Sequence, residues 1–518
     1  MSIYINTNKG LENYKMLKRG KYFVDKSQII EIINQRINTN DRFICITRPR
    51  RFGKSSIADM LSAYYTKNYD SKDIFNELNI SKSSSYLENL NKYNVINIQF
   101  NEIPDEIGTY KDYIENIKRG LKSDIKSVFK NIDFDNTDSI SRMLTKTKEK
   151  FVFIFDEWDY IFSNNLFKEN QDEYLEFLRN LLKDKSYVSL AYMTGVLPIK
   201  KYSSGSALNM FDEDTMLNDF IYGNYFGFTE KEVIKLCEKQ NKITFEEISE
   251  WYNGYTNSDG YKIYNPRSVV KALQNGRCIS YWTNTGAMNE VKEYLKYNIL
   301  DVREDVIKMV NGLSVKIIIN EEFRAGQNTP KTRQEIYSAM IVLGFLSYYE
   351  GFLKIPNKEL MKEFENAISD EAFGYVSKII NNSENMLNAT LNQDSNKVAE
   401  ILHNIHNSEI PIFQYNDENS LSCVVTLAYL KARDLYRIVR EEKTGKGYAD
   451  FTFHPRRKGD TAIILELKKD EKVDKALKQI KEKEYTQKFI EEQEYNIIAV
   501  AICYDSKTKE HHCKIESL

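Results

Sequence analysis

A short stretch near the N-terminus has the residue types of a phosphate-binding loop. The letters FICITRPRRFGKSS begin at Phe43 and place Gly53, Lys54 and Ser55 between an apolar run and a helical pattern. They match the end of the motif G-x-x-x-x-G-K-[ST], in which lysine reaches the β- and γ-phosphates and serine binds Mg²⁺. Arg48 stands where the motif has its first glycine. The stretch predicts a nucleotide site, and the alternative is a basic loop that contains Gly-Lys-Ser by chance.

A second stretch, FVFIFDEWD, ends an apolar run with Asp156 and Glu157. In phosphate-loop enzymes an acid at this place holds Mg²⁺, and an adjacent glutamate can polarise the attacking water. Because buried charge is costly, such a pair rarely serves packing, although an exposed strand end is the alternative. Thr194, at the end of the next apolar run, is equally well interpreted as a phosphate sensor or as an ordinary strand-end threonine.

A third group of residues lies near the C-terminus, where GYADFTFHP and AIILELKK contain Asp450, Glu466 and Lys468. Glu466 and Lys468 are two residues apart, so they share one face of a strand. Carboxylates bind Mg²⁺ or Mn²⁺, and the metal can activate a water for attack on a phosphodiester. Lysine can orient or deprotonate that water. Glu and Lys alternate on many solvated strands, so the prediction depends on Asp450 as well.

The elements expected around the first two stretches alternate between strands and helices. Apolar, partly β-branched runs predict buried strands, and helical spacing predicts the helices between them. The predicted strands are residues 43–47, 94–100, 150–162 and 187–196, and the predicted helices are residues 55–65 and 174–184. Such alternation favours a parallel sheet with helices on both faces.

Beyond about residue 275 the pattern becomes mostly helical and then returns to strands. Helices are predicted at residues 332–349, 357–368, 417–439 and 471–490, and strands at 447–455, 462–469 and 495–504. We therefore predict three domains, with boundaries that give residues 1–275, 276–395 and 396–518.

Length and composition are typical of a multidomain globular protein. A chain of 518 residues is too long for one hydrophobic core. The net charge of −2 argues against coating nucleic acid by bulk electrostatics but leaves a local basic groove open. The six cysteines form no Cys-x-x-Cys pair, which predicts free thiols in a reducing cytosol. Without a signal-peptide pattern or a long apolar run, the sequence predicts a cytoplasmic protein that does not contact membranes.

Several motifs in the first half of the chain resemble the AAA-ATPase-like family that is common in bacteria, whose members often carry a nuclease-like C-terminal domain. The motifs are YFVDKS, ITRPRRFGKS, DEWD, MTGV, YFGFTEKEV, WYNGY and YNPRS, and the resemblance covers about residues 1–290. It implies a three-layer α/β ATPase core that binds ATP and Mg²⁺. Arginine regularly replaces the first loop glycine in this family, in agreement with Arg48, and the resemblance also implies that Arg50 and Arg51 lie near phosphate.

The motifs and the resemblance together give a set of candidate residues for the nucleotide site. The predicted nucleotide-binding residues are Arg51, Gly53, Lys54, Ser55, Ser56, Asp156 and Thr194, with Ser55 and Asp156 as Mg²⁺ ligands and Glu157 as the catalytic residue. Arg267 in YNPRS is a candidate sensor arginine, but packing in an aromatic-rich segment is the favoured interpretation. Many such ATPases complete their site with an arginine from a neighbouring subunit, which makes a homo-oligomer one expectation.

The C-terminal group of residues resembles the PD-(D/E)XK nuclease superfamily over about residues 400–505. Asp450, the Glu-x-Lys pair and the flanking strands match, whereas Ala449 stands where the superfamily has proline. The resemblance implies Asp450 and Glu466 as metal ligands and Asp450, Glu466, Lys468 and Gln479 as catalytic residues. It also implies that Tyr485 belongs to the helix after the core lysine, and that Glu418 is an extra acid. The fold class implied overall is α/β, with a three-layer phosphate-loop ATPase core, a helical middle region and a restriction-endonuclease-like C-terminal domain.

Two weaker features are interpreted as solvated surface. HNIH (His403, His406) and HHC (His511, His512, Cys513) lack the paired spacing of a zinc site, so we expect solvated histidines. Lysines along residues 468–488 could follow a phosphate backbone, but the interspersed glutamates favour a solvated helix face.

These features together favour ATP-regulated, metal-dependent cleavage of DNA or RNA, with a role in defence against mobile DNA that depends on family analogy alone. One alternative is a regulatory switch NTPase whose C-terminal domain binds nucleic acid or protein without cutting it. Another is a phosphate-loop kinase, which Glu157 disfavours because a glutamate beside Asp156 suits water activation.

Overall fold

The computed structural model describes residues 2–104, 107–199, 208–282, 302–319, 330, 332–368, 379–380, 382–407, 418–494 and 496–518, without the side chains of 406–407 and 418–420. The chain divides into two compact units. The first comprises Met1–Ile299 with Val315–Met361, and the second comprises Leu300–Ser314 with Lys362–Leu518. The domain boundaries at residues 275 and 395 stay predictions.

The described strands and helices are numbered in chain order. The strands are β1 (Phe43–Thr47), β2 (Asn94–Gln99), β3 (Phe151–Asp156), β4 (Val188–Gly195), β5 (Asp212–Asp214), β6 (Phe228–Thr229), β7 (Tyr255–Thr256), β8 (Lys262–Tyr264), β9 (Val315–Lys316), β10 (Ser347–Tyr349), β11 (Phe352–Lys354), β12 (Tyr436–Thr444), β13 (Gly447–Pro455), β14 (Ala462–Lys469), β15 (Ile497–Asp505) and β16 (Glu510–Ser517). The helices are α1 (Lys9–Lys18), α2 (Ile29–Asn34), α3 (Lys54–Tyr65), α4 (Lys72–Phe75), α5 (Tyr86–Asn89), α6 (Tyr110–Val128), α7 (Ile140–Lys146), α8 (Tyr160–Ser163), α9 (Gln171–Leu182), α10 (Glu230–Cys237), α11 (Phe245–Tyr252), α12 (Pro266–Asn275), α13 (Val302–Val310), α14 (Arg333–Val342), α15 (Lys358–Ile368), α16 (Ser383–Leu391), α17 (Ser395–Asn407), α18 (Glu418–Ala428), α19 (Val473–Glu482) and α20 (Gln487–Glu491).

The core of the first unit is a five-stranded parallel sheet in the order β2-β3-β4-β1-β5. Its central strands are buried on both faces. On one face Phe151, Phe153 and Phe155 pack with residues of α6 and α9, and on the other Ile44 and Ile46 pack with residues of α3. Burial on both faces explains why these strands are continuous apolar runs. The predicted parallel sheet is confirmed, but the strand expected over 150–162 ends at Asp156, and α8 follows it. The strand order places β4 between the strand before the phosphate loop and the strand that ends in Asp156.

The second unit is built on a mixed five-stranded sheet in the order β12-β13-β14-β15-β16. Only β14 and β15 pair in parallel, and the other neighbours are antiparallel. A parallel pair needs a long crossover connection, which α19 and α20 supply between β14 and β15. The buried face of α19 packs on this sheet through Ala476, Leu477 and Ile480. The three strands predicted in this part of the sequence are confirmed as β13, β14 and β15.

Three predicted helices are wrong in part. The helix expected over 332–349 ends at Val342, and Gly344, at φ +84°, allows the turn that leads into β10. The helix expected over 417–439 ends at Ala428, because the residues from Tyr436 onward pair with β13 instead. The helix expected over 471–490 is interrupted between α19 and α20.

The middle region, predicted to be mostly helical, also contains a small sheet in the order β10-β11-β9.

Two further observations concern the whole described chain. The six cysteines are free thiols. Among the described helices, none combines the length and the apolar character that crossing a membrane requires.

The WYNGY motif has a structural explanation at Gly254, which follows α11 with φ +125°. A Cβ atom there would lie 1.5 Å from the carbonyl oxygen of Pro356, so no other residue fits without displacing backbone. We expect Gly254→Ala to destabilise the first unit by about 3 kcal/mol, since backbone strain and overpacking add. Thermal unfolding of the purified chain measures this.

The matched control is Gly351→Ala, at φ +84° with nothing within 4 Å of the added Cβ. It retains the backbone strain without the clash, so the loss should be about 1–2 kcal/mol. Equal losses in the two variants would contradict the role of the Pro356 contact.

Candidate functional site

The loop between β1 and α3 holds a buried lysine against its own carbonyl groups. Lys54 Nζ donates to the carbonyl oxygens of Arg48 at 2.9 Å and Pro49 at 3.0 Å. Gly53 adopts φ +90° at the start of α3, and the space beside it is open. Burial lowers the pKa of Lys54 to about 8, although nearby carboxylates, Asp156 among them, oppose this shift. An ammonium group is therefore placed at a helix N-terminus, where backbone N–H groups favour phosphate.

Arg48 contributes to the structure of the loop and is directed away from the cavity. Its side chain is 2% exposed, forms an ion pair with Asp214 and donates to the carbonyl oxygens of Asp214 at 3.0 Å and Thr47 at 2.8 Å. The guanidinium also lies over the ring of Phe226, 5.3 Å from its centroid. These contacts join the end of β1 to β5, which explains how the loop tolerates an arginine in place of its first glycine.

Acidic and hydroxyl groups meet at the carboxyl ends of β3 and β4. Asp156 is buried, and burial raises its pKa, although the Ser55 hydroxyl opposes this shift. Glu157 is half-buried with a left-handed backbone at φ 52°, and burial together with Asp156 raises its pKa. Thr194 pairs in register with Asp156, and its buried hydroxyl has no hydrogen-bond partner within the described chain. This unsatisfied hydroxyl favours the sensor interpretation of Thr194.

Asp159, the second aspartate of DEWD, connects the two strand ends. Its Oδ2 accepts from the backbone N–H groups of Val196 at 3.0 Å and Leu197 at 2.8 Å. A Cβ atom at Gly195 would lie 2.3 Å from Asp159 Oδ1, so the glycine permits this close approach. Asp159 belongs to the DEWD motif, but nothing in the local sequence indicates this connecting role.

Gly53, Lys54, Glu157 and Asp159 border a cavity of about 880 Å³, a volume that suits a nucleotide. Arg50, Arg51 and Arg267 line it together with Lys54, Ser55, Ser56 and Glu157. Burial, Arg267 and Arg50 lower the pKa of Arg51. The Nε of Arg267 is buried and lacks a hydrogen-bond partner among the residues that the structure describes. Cations gathered in this way complement a polyphosphate, so the placement of Arg267 favours the sensor interpretation over packing.

The cavity lining also contains apolar side chains. They include Met16, Leu17, Phe23, Val24 and Val270. A ligand that fits this lining therefore has both charged and flat or apolar parts, as a nucleotide has.

The second unit brings together the three residues predicted for metal-dependent chemistry. Lys468 Nζ lies 2.9 Å from Glu466 Oε1 on β14. Asp450 on the neighbouring β13 accepts a hydrogen bond from the backbone N–H of Leu467 at 2.7 Å. Asp450 therefore lies beside Glu466, and the two negative charges repel each other.

Glu466 has the environment of a cation ligand. Its side chain is 1% exposed, and its Oε2 has no hydrogen-bond partner in the described chain. Burial and the charge of Asp450 raise its pKa to about 7, although Lys468 opposes this shift. A buried carboxylate oxygen without a partner is costly, and a bound divalent cation would satisfy it. The residues present therefore fit a metal ion.

Two further predicted residues extend this cluster. Gln479 on α19 donates to Glu466 Oε1, and its Nε2 lies 3.2 Å from the hydroxyl of Tyr485. That hydroxyl donates to the carbonyl oxygen of Tyr448 at 2.7 Å. The helix after the core lysine is thereby fixed to both β13 and β14. The side chain of Glu418, the proposed extra acid, lies outside the described residues.

The described side chains include no group of three or more His, Cys, Asp and Glu residues that could hold a metal ion. This is compatible with Mg²⁺, which often takes one or two carboxylates and completes its shell with waters and phosphate oxygens.

The prediction that the histidines are solvated is wrong for His511, which is buried and whose ring lies 5.0 Å from the ring of Tyr504. The side chain of His406 lies outside the described residues.

Two family models match this chain. Residues 8–204 match the model described as predicted AAA-ATPase, and residues 416–513 match the PD-(D/E)XK nuclease superfamily. The chain contains a domain of each. The first match covers strands β1 to β4 of the parallel sheet and the loop between β1 and α3. The second covers the mixed sheet with Asp450, Glu466 and Lys468.

A curated relative from Azotobacter chroococcum mcd 1 is described as an uncharacterized protein in the vnfD 5′ region. It is 26% identical over 291 residues, which cover 54% of this chain and 53% of the relative. The match thus spans about half the length of that relative.

Similar solved structures are archaeal. The Walker-type ATPase paby2304 of Pyrococcus abyssi is 14% identical with a TM-score of 0.33, covering 65% of this chain and 94% of its own. The ORC2 protein of Aeropyrum pernix is 10% identical with a TM-score of 0.30, covering 70% and 94%. A signal transduction ATPase with numerous domains from Pyrococcus horikoshii is 14% identical with a TM-score of 0.25, covering 80% and 54%. Scores of this size carry no structural argument, so the fold assignment depends on the sheets described above.

The raised pKa of Glu466 predicts a pH-dependent metal affinity. A carboxyl group must lose its proton to bind a cation. With a pKa of about 7, Glu466 is mostly protonated at pH 6 and mostly ionised at pH 8. We expect Mn²⁺ affinity to rise about tenfold between these two values. Calorimetric titration of the full chain at both pH values measures it, with Glu466→Gln binding weakly at each. Equal affinities of the unaltered chain at pH 6 and pH 8 would be inconsistent with Glu466 as a ligand.

Proposed function

We propose that the first unit binds and hydrolyses ATP. The observation that carries this proposal is the cavity in which Lys54 and three arginines gather around an opening bordered by Glu157. Lys54, Arg50, Arg51 and Arg267 bind the phosphates and offset the charge that develops on them. The apolar side chains of the lining would contact the nucleobase.

Water attack on the terminal phosphate depends on the acids at the ends of the strands. Ser55 and Asp156 would hold the Mg²⁺ that accompanies ATP and that neutralises phosphate charge when bound. Glu157 accepts the proton of the attacking water, and its raised pKa brings it closer to the operating pH. Thr194, with its unsatisfied hydroxyl beside Asp156, orients that water or contacts the terminal phosphate. A neighbouring subunit that completes this site with an arginine, and hence a homo-oligomer, belongs to the proposal.

Two substitutions separate binding from hydrolysis at this site. Lys54→Ala should keep the fold and lower ATP turnover by about a hundredfold or more, because an ammonium that stabilises the transition state is lost. Glu157→Gln should bind ATP with normal affinity and hydrolyse it about 10²–10⁴-fold more slowly, because the amide retains the shape and removes the base. Nucleotide affinity and turnover are measured side by side on each purified variant. Unchanged turnover in Lys54→Ala, or lost ATP binding in Glu157→Gln, would refute the assignment.

For the second unit we infer metal-dependent cleavage of a phosphodiester in DNA or RNA. The observation that carries this is the unsatisfied Oε2 of Glu466, buried next to Asp450. Asp450 and Glu466 would hold Mg²⁺ or Mn²⁺, which when bound activates a water and offsets phosphate charge. Lys468 orients or deprotonates the attacking water, and Gln479 positions the carboxylate of Glu466.

ATP binding is proposed to regulate this cleavage in a cytoplasmic protein, and the role in defence against mobile DNA depends on family analogy alone. The alternative is a switch NTPase whose second unit binds nucleic acid or protein without cutting it. Convergence of Asp450, Glu466 and Lys468 supports cleavage over that alternative, because binding alone needs no such grouping.

Single substitutions distinguish metal binding from catalysis in the second unit. Glu466→Gln should weaken Mn²⁺ binding by about tenfold or more, whereas Lys468→Ala should preserve Mn²⁺ binding and lower cleavage by about 10²–10⁴-fold. Residues that act as one unit are non-additive, so the double variant should be no slower than the slower single variant.

The control is Lys469→Ala, which removes the same charge from the opposite face of β14 and should cut normally. The measurements are Mn²⁺ calorimetry and cleavage of labelled DNA and RNA. If the unaltered chain binds no divalent metal and cuts neither substrate in any nucleotide state, the binding alternative is the correct one.

A further inference from the structure

We propose that one side of α19 binds the phosphate backbone of the nucleic acid and guides it across the metal site. This inference depends on the proposed nuclease function and identifies a substrate-binding surface for it. We call this surface the lysine stripe and define it as Lys472, Lys475 and Lys483, with Gln479 between the last two.

The helical repeat places these residues together. Lys475 and Gln479 lie one turn apart on α19, and Lys472 and Lys483 directly precede and follow the helix, so at 3.6 residues per turn the four positions fall within about a quarter of its circumference. Gln479 identifies the direction of that strip, since its amide donates to Glu466 and thus faces the metal site. The apolar side of α19, formed by Ala476, Leu477 and Ile480, packs on the sheet next to this strip.

The charges of α19 are segregated between its two flanks. On the flank away from the metal site, Lys481 pairs with Glu516 at 2.6 Å, and Asp474 pairs with Lys514 at 2.9 Å. In the lysine stripe, Lys475 pairs with Glu471 at 2.6 Å, whereas Lys472 and Lys483 are exposed and have no acidic partner among the described residues. Solvation alone does not explain why the two unpaired lysines lie on the same side of α19 as Gln479, which contacts Glu466.

The spacing suits a strand that passes over the site. Lys472 lies about 10 Å from Gln479 along the helix axis, and Lys483 lies about 6 Å from it in the opposite direction, at about 1.5 Å per residue. Cations on both sides of the reacting phosphate hold the strand in register while the two carboxylates repel it. Two glutamates border the stripe, Glu471 paired with Lys475 at 2.6 Å and Glu482 paired with Lys478 at 3.5 Å, so Lys472 and Lys483 carry its unpaired positive charge.

Salt dependence of binding tests the lysine stripe. Each phosphate contact contributes about 0.7–0.9 to the slope of log affinity against log salt concentration. The double variant Lys472→Gln with Lys483→Gln should therefore lower that slope by about 1.4–1.8 and weaken binding severalfold at low salt, irrespective of sequence. The full chain is titrated into fluorescently labelled DNA and, separately, into labelled RNA oligonucleotides. EDTA is present so that no metal-dependent cleavage occurs, and the two titrations distinguish the two targets.

The matched control is Lys478→Gln with Lys481→Gln, which removes the same charge from the outer side of the same helix. It should leave the slope unchanged. A normal Mn²⁺ titration shows that each variant retains its fold. The proposal is overturned if the stripe variant has the slope of the unaltered chain, if both double variants lower the slope equally, or if polyglutamate binds as tightly as DNA, which would indicate an acidic protein partner.

Failure of this inference is distinguishable from failure of the proposed function. If the unaltered chain binds DNA or RNA but the stripe variant shows no change, only the lysine stripe is wrong. If the unaltered chain binds neither, the nuclease function fails and the stripe with it.

Discussion

Repulsion between like charges gathered in one place is the constraint on which both candidate sites depend. In the second unit the carboxylates of Asp450 and Glu466 lie together, and Glu466 is buried with one oxygen unsatisfied. In the first unit Lys54, Arg50, Arg51 and Arg267 border one cavity. Each arrangement is unfavourable by itself, so the surrounding fold must hold it in place until a ligand of opposite charge compensates it. The contacts of Arg48, Asp159, Gln479 and Tyr485 do this by fixing the strands and helices that carry the charged groups.

Much of both sites could be predicted from the sequence because the signals are local. Gly53, Lys54 and Ser55 are adjacent in the chain, and their motif specifies a strand before them and a helix after them. Asp156 and Glu157 end an apolar run, and Glu466 and Lys468 share one face of a single strand. Apolar runs that are buried on both faces predict a parallel sheet, and the observed order of the five strands confirms it.

The remaining features depend on pairings between distant residues, which local patterns do not reveal. Arg48 forms an ion pair with Asp214 across 166 positions of the chain, so nothing near Arg48 indicates that it stabilises the loop from within. The residues from Tyr436 onward continue a helical pattern, yet they form β12 because β13 offers an antiparallel edge. For Arg267 the sequence favours packing over a sensor role, and only the shared cavity shows that it lies with the phosphate loop.

The central claim is that the nucleotide site of the first unit regulates metal-dependent cleavage of nucleic acid at the site of the second unit. The most direct test is to incubate the full chain with labelled DNA and labelled RNA, with and without ATP and with and without Mg²⁺. The account predicts that cleavage requires Mg²⁺ and that ATP changes its rate. Cleavage that persists without a divalent metal, or no cleavage of either substrate with both ATP and Mg²⁺ present, would contradict it.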